Sequence, residues 1–204
     1  MPKTDRELLR MLAFALLLTV ATQLFYIGVV SEAGPETVLR PITWFTELFA
    51  FTCVTVSSLA LAVRRPHQAL LWAIIAFSGA LNVLQVAIGL SMFAPAMAAR
   101  DSVPALFDTV LAGAFFLYFL AKLLLGAAGL NLGLNSARSE AGSGKSLGWL
   151  AIIAGLASVA LNLLGMVDAK AWTFAAGAAG TAITALLGLI ILRLAPRAAV
   201  NADA

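Results

Sequence analysis

Few side chains in this sequence can do chemistry, and those few are set into otherwise apolar stretches. Glu47 offers a carboxylate, Gln23, Asn82, Gln85 and Asn162 offer amides, Tyr26 a phenol and Lys122 an ammonium. Such groups donate and accept hydrogen bonds, and a carboxylate can also hold a counter-charge or pass a proton. An ionisable residue at membrane depth costs about 2.5–3.5 kcal/mol on insertion scales, so each one marks a candidate site. Arrangements that carry most enzyme chemistry are missing. His67 is the single histidine and Cys53 the single cysteine, which excludes a bis-histidine haem, a His/Cys zinc site and an intrachain disulfide. No G-x-S-x-G elbow, H-E-x-x-H pair, C-x-x-C pair or P-loop occurs. The sequence therefore points away from an enzyme and implies no cofactor and no metal. An intramembrane enzyme would need Glu47 or Asp108 as acid or base, with no evident second group.

The elements that must position these residues follow from composition. Of 204 residues, 62% are hydrophobic and 11% charged, against roughly 25% charged in an ordinary soluble domain. A water-soluble globule cannot be covered with so little polar surface. Six apolar stretches, at about 8–30, 42–63, 68–90, 105–125, 147–167 and 172–194, predict an all-α integral membrane protein, a bundle of six transmembrane helices forming a single six-span domain over 1–204. Between them lie turn segments: Ser31 to Pro35, Arg64-Arg65-Pro66-His67, Asp101 to Pro104 and the Gly/Ser-rich Ala141 to Ser146. Asp101 or Ser102 is expected to cap the fourth helix, with Pro104 in its first turn. Trp44, Trp72, Trp149 and Trp172 sit near span starts, where indoles favour the headgroup boundary.

Nine of the thirteen basic residues fall on one side of this layout: Lys3, Arg6, Arg10, Arg64, Arg65, Arg138, Lys145, Arg193 and Arg197. Only Arg40, Arg100 and Lys170 fall on the other, so the positive-inside rule places both termini in the cytoplasm. The first span is too long and lacks the A-x-A pattern of a cleaved signal, and is expected to be retained. Net charge of +3, spread over loops, is no footprint for nucleic acid. Three spans precede and three follow the Asp101 loop, a topology that permits inverted repeats, yet no matching residues between the halves support them.

Counted from the charged cytoplasmic ends, Gln23 lies about 20 Å up its span, Glu47 about 25 Å, Asn82 about 21 Å, Gln85 about 26 Å and Asn162 about 21 Å. All five reach the outer third of the bilayer. Helical spacing groups Thr19, Gln23 and Tyr26, then Thr43 and Glu47, then Ser78, Asn82, Gln85 and Gly89, then Ala154, Ser158 and Asn162, each as a small-and-polar stripe. The functional reading is a polar pocket open to the outer face, with Glu47, Asn82, Gln85, Asn162, Gln23 and Tyr26 binding a small or amphipathic molecule. Its competitor is interhelical glue worth about 0.6 kcal/mol per group.

Lys122 counts to about 21 Å below the outer boundary and Glu47 to about 5 Å, which argues against an ion pair. Lys122 is instead expected to snorkel toward cytoplasmic headgroups, or to form a lipid-headgroup or anion site with Arg64 and Asn131. Phe115, Phe116, Tyr118 and Phe119 read as lipid-facing bulk rather than an aromatic cage, and Cys53 as an inert small hydrophobe. Ala176, Gly180, Thr184 and Gly188, and Gly129 with Gly133, form close-approach ridges. These suit packing within the chain better than a homodimer.

The layout resembles small six-span bacterial inner-membrane proteins of unknown function. It shares an outward first loop, a short basic loop at Arg64-Arg65, and a fifth span beginning Leu147-Gly148-Trp149 with Gly155 on its inner half, although a proline expected before that Trp is missing. The resemblance implies a bacterial inner membrane and no activity. Nine arginines against four lysines, with much alanine, also suit a GC-rich bacterial source. Expected partners are the lipid bilayer and a small-molecule or lipid ligand. The alternative function is a non-catalytic subunit or assembly factor, with a membrane-protein partner or a second copy of the chain.

Overall fold

The computed structural model describes residues 3–34 and 37–200. Pro35 of the first loop, and the side chains of Lys3 and Arg197 used in the charge count, lie outside the described residues. Regular structure among the described residues is helical throughout: α1 (Lys3–Phe25), continued by a π-helical turn over Tyr26–Val30, α2 (Leu39–Arg64), α3 (Ala69–Ala98), α4 (Ala105–Ser139), α5 (Ser143–Val167) and α6 (Ala169–Val200). Six helices are long and apolar enough to cross a bilayer, so the chain is built as a multi-pass membrane protein.

The helices outrun the apolar stretches that announced them, and at their C-terminal ends α3 and α4 do so furthest. α3 continues past Leu90 to Ala98 and takes Pro95 into its end, and α4 continues past Leu125 to Ser139. Hydropathy marks where lipid can end; a helix goes on while its residues favour it, as the Ala- and Leu-rich stretch after Leu125 does. The joints are short. Asp168 alone links α5 to α6, and its Oδ1 accepts the Ala171 N–H at 3.1 Å, capping α6. Gly142, with φ of 55°, supplies the left-handed step that turns α4 into α5. The expected cap on α4 does not form. Pro104 directly precedes Ala105 with no side-chain cap, and the Ser102 hydroxyl donates to the Ala99 carbonyl at 3.0 Å instead.

Helices α1, α2, α3, α4 and α6 pack in sequence around a ring that closes where α6 meets α1, and α5 lies outside it against α4 and α6. The α4–α5 seam is the tightest, because glycines let the backbones approach. A Cβ on Gly126 would stand 2.9 Å from the Gly155 carbonyl oxygen, and one on Gly155 equally close to the Gly126 carbonyl. Gly133 meets the Gly148 carbonyl, Gly129 meets Ile183, and Gly188 of α6 receives Leu17 of α1. The small-residue ridges are thus occupied within the chain.

The two ends of the ring differ in what lines them. In the half nearer the termini, Leu9, Leu12 and Leu16 of α1 form a buried core with Val54, Leu61, Trp72, Ile75, Leu125, Ile183, Leu187 and Ile191. Trp72 belongs to this core and is fully buried, not placed at a headgroup boundary. Large apolar side chains cover the outside, with Val167 at 87% and Phe174 at 82% exposure, as lipid-facing surfaces require.

Candidate functional site

The opposite half of the ring is hollow. A cavity of about 950 Å³ is lined by Gln23, Glu47, Asn82, Gln85, Tyr118 and Lys122 among polar residues, and by Tyr26, Trp44, Phe51, Phe93 and Phe115 among aromatics. Its volume falls in the range of small-molecule sites, about 300–1,000 Å³.

The floor is organised by two consecutive residues of α1. Thr22 Oγ1 donates to Glu47 Oε1 at 3.1 Å, and Gln23 spans two residues of α4 one turn apart. Lys122 is donor-only, so its Nζ must face the amide oxygen: it donates to Gln23 Oε1 at 3.3 Å. That leaves Gln23 Nε2 to donate to Tyr118 Oη, at 2.7 Å. Lys122 Nζ also lies 3.5 Å from Thr184 Oγ1 and 5.6 Å from the Tyr118 ring centre. Gly180 makes room for the lysine stem, since a Cβ there would stand 2.8 Å from Lys122 Cγ. Glu47 and Lys122 face the same cavity without forming a contact ion pair; Asp5, at the other end of the bundle, does pair with Arg64 and Arg65.

Lys122 is therefore displaced from where depth counting put it. It is 1% exposed, points into the bundle, and shares a level with Glu47, because neighbouring α1 residues touch the two. Snorkelling is corrected, and the reason is the datum. The depth of about 21 Å for Lys122 is a count from Asp108 at the outer end of α4, whereas Gln23, Glu47, Asn82, Gln85 and Asn162 are placed from the cytoplasmic end. α4 projects beyond α5 on the far side, since Gly165 at the end of α5 already packs on Phe119. Measured from Ser139, Lys122 stands about 25 Å up α4, close to Gln23 in α1.

Hydroxyls from both sides fix the lysine's register. Ser78 of α3 donates to the Ala121 carbonyl at 2.8 Å, and Ser158 of α5 donates to the Lys122 carbonyl at 2.9 Å. Each serine is followed four residues later by an asparagine whose amide donates to that serine's own carbonyl, Asn82 at 2.9 Å and Asn162 at 2.8 Å. The same pattern, Ser-x-Ala-Leu-Asn, stands at Ser78–Asn82 and Ser158–Asn162. This repeat between α3 and α5 was the signal available in the sequence for the clamp on α4.

The expected site residues divide. Gln23, Tyr26, Glu47, Asn82 and Gln85 line the cavity together, Gln85 without a hydrogen-bond partner among the described residues. Asn162 does not. It is fully buried behind the wall, bonded to Ser158 and, at 3.4 Å, to the Ala176 carbonyl, because α5 lies outside the ring. Arg64 is at the terminal end of the bundle, paired with Asp5, roughly 27 Å of helix away from Gln23. Asn131 bonds with Asn135 on an exposed face, so no joint site of Lys122, Arg64 and Asn131 exists.

The aromatic run of α4, expected to face lipid as bulk, turns mostly inward. Phe115 and Tyr118 wall the cavity and Phe119 is buried against Gly165, leaving Phe116 as the outward one, 51% exposed. Towards the far end, Tyr26 stacks on Trp44 at 6.2 Å, Trp44 meets Phe93 edge-on at 5.8 Å, and Phe93 meets Phe107 at 5.7 Å. The π-helical turn that begins at Tyr26 shifts the helical register there, as such turns often do beside functional sites. The resulting chamber offers donors from Lys122 and Gln85, an acceptor in Glu47, and aromatic faces above them. No protein-family model, curated protein or solved structure matches this chain.

Proposed function

We propose that the protein binds, and through binding moves or presents, a small amphipathic molecule in the cavity of its helix ring. One observation carries this: a 950 Å³ chamber with mostly apolar and aromatic walls and a single polar floor of Gln23, Glu47, Asn82, Gln85 and Lys122. Buried charge is costly, and here its placement beside an empty chamber rather than in a filled core supports a ligand. The alternative, a non-catalytic subunit, draws on the lack of a catalytic motif, the very short loops and the small-residue ridges, and of these the ridges are taken up by α1, α4, α5 and α6 themselves.

The distribution of Lys and Arg supports a bacterial inner-membrane location, both termini cytoplasmic and the cavity on the outer side, in keeping with a transporter-like or binding role. A thermal-shift screen of amphipathic compounds on wild type and Glu47→Gln in parallel tests the reading. We expect at least one compound class to stabilise wild type and to lose most of that shift in the variant, since a ligand raises stability by its occupancy of the native state alone. Equal shifts, or none in either protein, would refute it.

A further inference from the structure

The cavity wall is not uniform. Residues that line it from α2, α3 and α4 are buried or half-buried, Lys122, Asn82, Phe51 and Ala114 fully so. Every lining residue that is also exposed belongs to α1 or α6: Leu24 and Ile27 on the first, Lys170, Phe174, Ala178 and Ala182 on the second. Those four on α6 recur every four residues, which makes one continuous stripe along the helix edge. Beside it runs a second stripe, Thr173, Gly177 and Thr181, which lines the chamber with small side chains. In the terminal half the same two helices are closed, with Leu17 and Ala13 seated against Gly188.

We infer that the chamber opens sideways into the bilayer through a portal between α1 and α6, and that its ligand is a lipid-soluble molecule with an uncharged, oxygen-bearing head on an apolar tail. This deepens the binding role proposed above and rests on it. The portal edge is apolar along most of its length, so what crosses it must itself partition into lipid. A tail can remain between Leu24, Ile27, Phe174 and Ala178 while the head reaches the floor. The head is uncharged because the floor presents a carboxylate and an ammonium side by side, contacted by the adjacent residues Thr22 and Gln23; an anionic or cationic head would be drawn to one of them and repelled by the other. Lys122 and Gln85 are placed to donate to its oxygens, and Phe115, Tyr118, Tyr26 and Trp44 to flank a planar body. Lys170, exposed at the end of the stripe, would meet lipid headgroups rather than the ligand.

The test uses the full chain in lipid nanodiscs, with a decyl-tailed benzoquinone as probe and the same head without a tail as its partner. Binding is read as quenching of Trp44 fluorescence, isolated by subtracting the Trp44→Phe variant. We expect Ala178→Phe, which thickens the portal edge from outside, to slow association of the tailed probe roughly tenfold and to leave the tail-less head unchanged. Phe174→Ala, which thins it, should speed the tailed probe. Decanoate and decylamine should compete more weakly than the tailed quinone. Wild-type rates in both portal variants would overturn lateral entry while the pocket stands, and stronger competition by either charged amphiphile would overturn the uncharged head. Absence of any Trp44-dependent quenching in wild type, with no thermal stabilisation by any amphiphile, would remove the binding role itself.

Discussion

The two halves of the helix ring are made by the same five helices and filled in opposite ways. Nearer the termini, leucine and isoleucine side chains from α1, α2, α3, α4 and α6 meet in a buried apolar core. In the other half the same helices present Gln23, Glu47, Asn82, Gln85, Tyr118 and Lys122 below a sleeve of aromatic rings, around a cavity of about 950 Å³. The contrast separates two tasks along one bundle: the filled half holds the helices together, which allows the hollow half to keep a cavity and a pair of opposite charges. Lys122 stands at the boundary, one turn from Leu125, a member of the filled core.

The largest expected effect is at that boundary. Lys122→Met strips Gln23 Oε1 of its charged donor and leaves Glu47 facing the cavity without a cation beside it, and should cost about 3 kcal/mol or more. Unfolding by SDS titration should show the loss, and adding Glu47→Gln should recover more than half of it. Single variants as stable as wild type would mean that water in the cavity, not Lys122, balances Glu47.

Next comes a direct comparison of the halves with one substitution. Leu125→Ala removes methyl groups from the filled core, where Leu125 is 1% exposed, and should cost about 2–5 kcal/mol. Leu111→Ala merely enlarges an existing chamber and should cost less than about 1 kcal/mol. Equal losses in the same assay would contradict a division of labour between the halves.

Legibility in the sequence followed a similar division. Six spans were readable because twenty apolar residues have few other uses, and helical spacing put Gln23, Glu47, Asn82 and Gln85 at one level on three helices. Neighbourhood was not readable. Nothing in the stripe of Ser158 and Asn162 says that α5 lies outside the ring, so Asn162 looked equivalent to Asn82 although one packs against α6 and the other lines a chamber. Depth failed for Lys122 because helix ends were assumed to share a plane. α4 extends past α5, and hydropathy carries no information about that offset. The aromatic run of α4 was ambiguous for a related reason: rings that face lipid and rings that face a cavity have the same composition, and only packing assigns Phe116 outward and Tyr118 inward.

The smallest expected effect concerns the serines that hold α4 between the halves. Ser78→Ala and Ser158→Ala each remove one hydroxyl bond to a carbonyl that also serves the helix ladder, worth about 0.6 kcal/mol in a bilayer. The two bonds lie on opposite sides of α4, at Ala121 and Lys122, so either alone still pins the helix against rotation. Stability losses should therefore add in the double variant. Ligand affinity should not: each single change is expected to leave it within about twofold, and the double change to weaken it by more than the product, because only then can α4 turn and carry Lys122 away from Gln23. The two readouts follow different physics, contact energy in one case and geometric constraint in the other. Additive behaviour in both would show that the serines are glue and that Gly180 and Gln23 alone place the lysine.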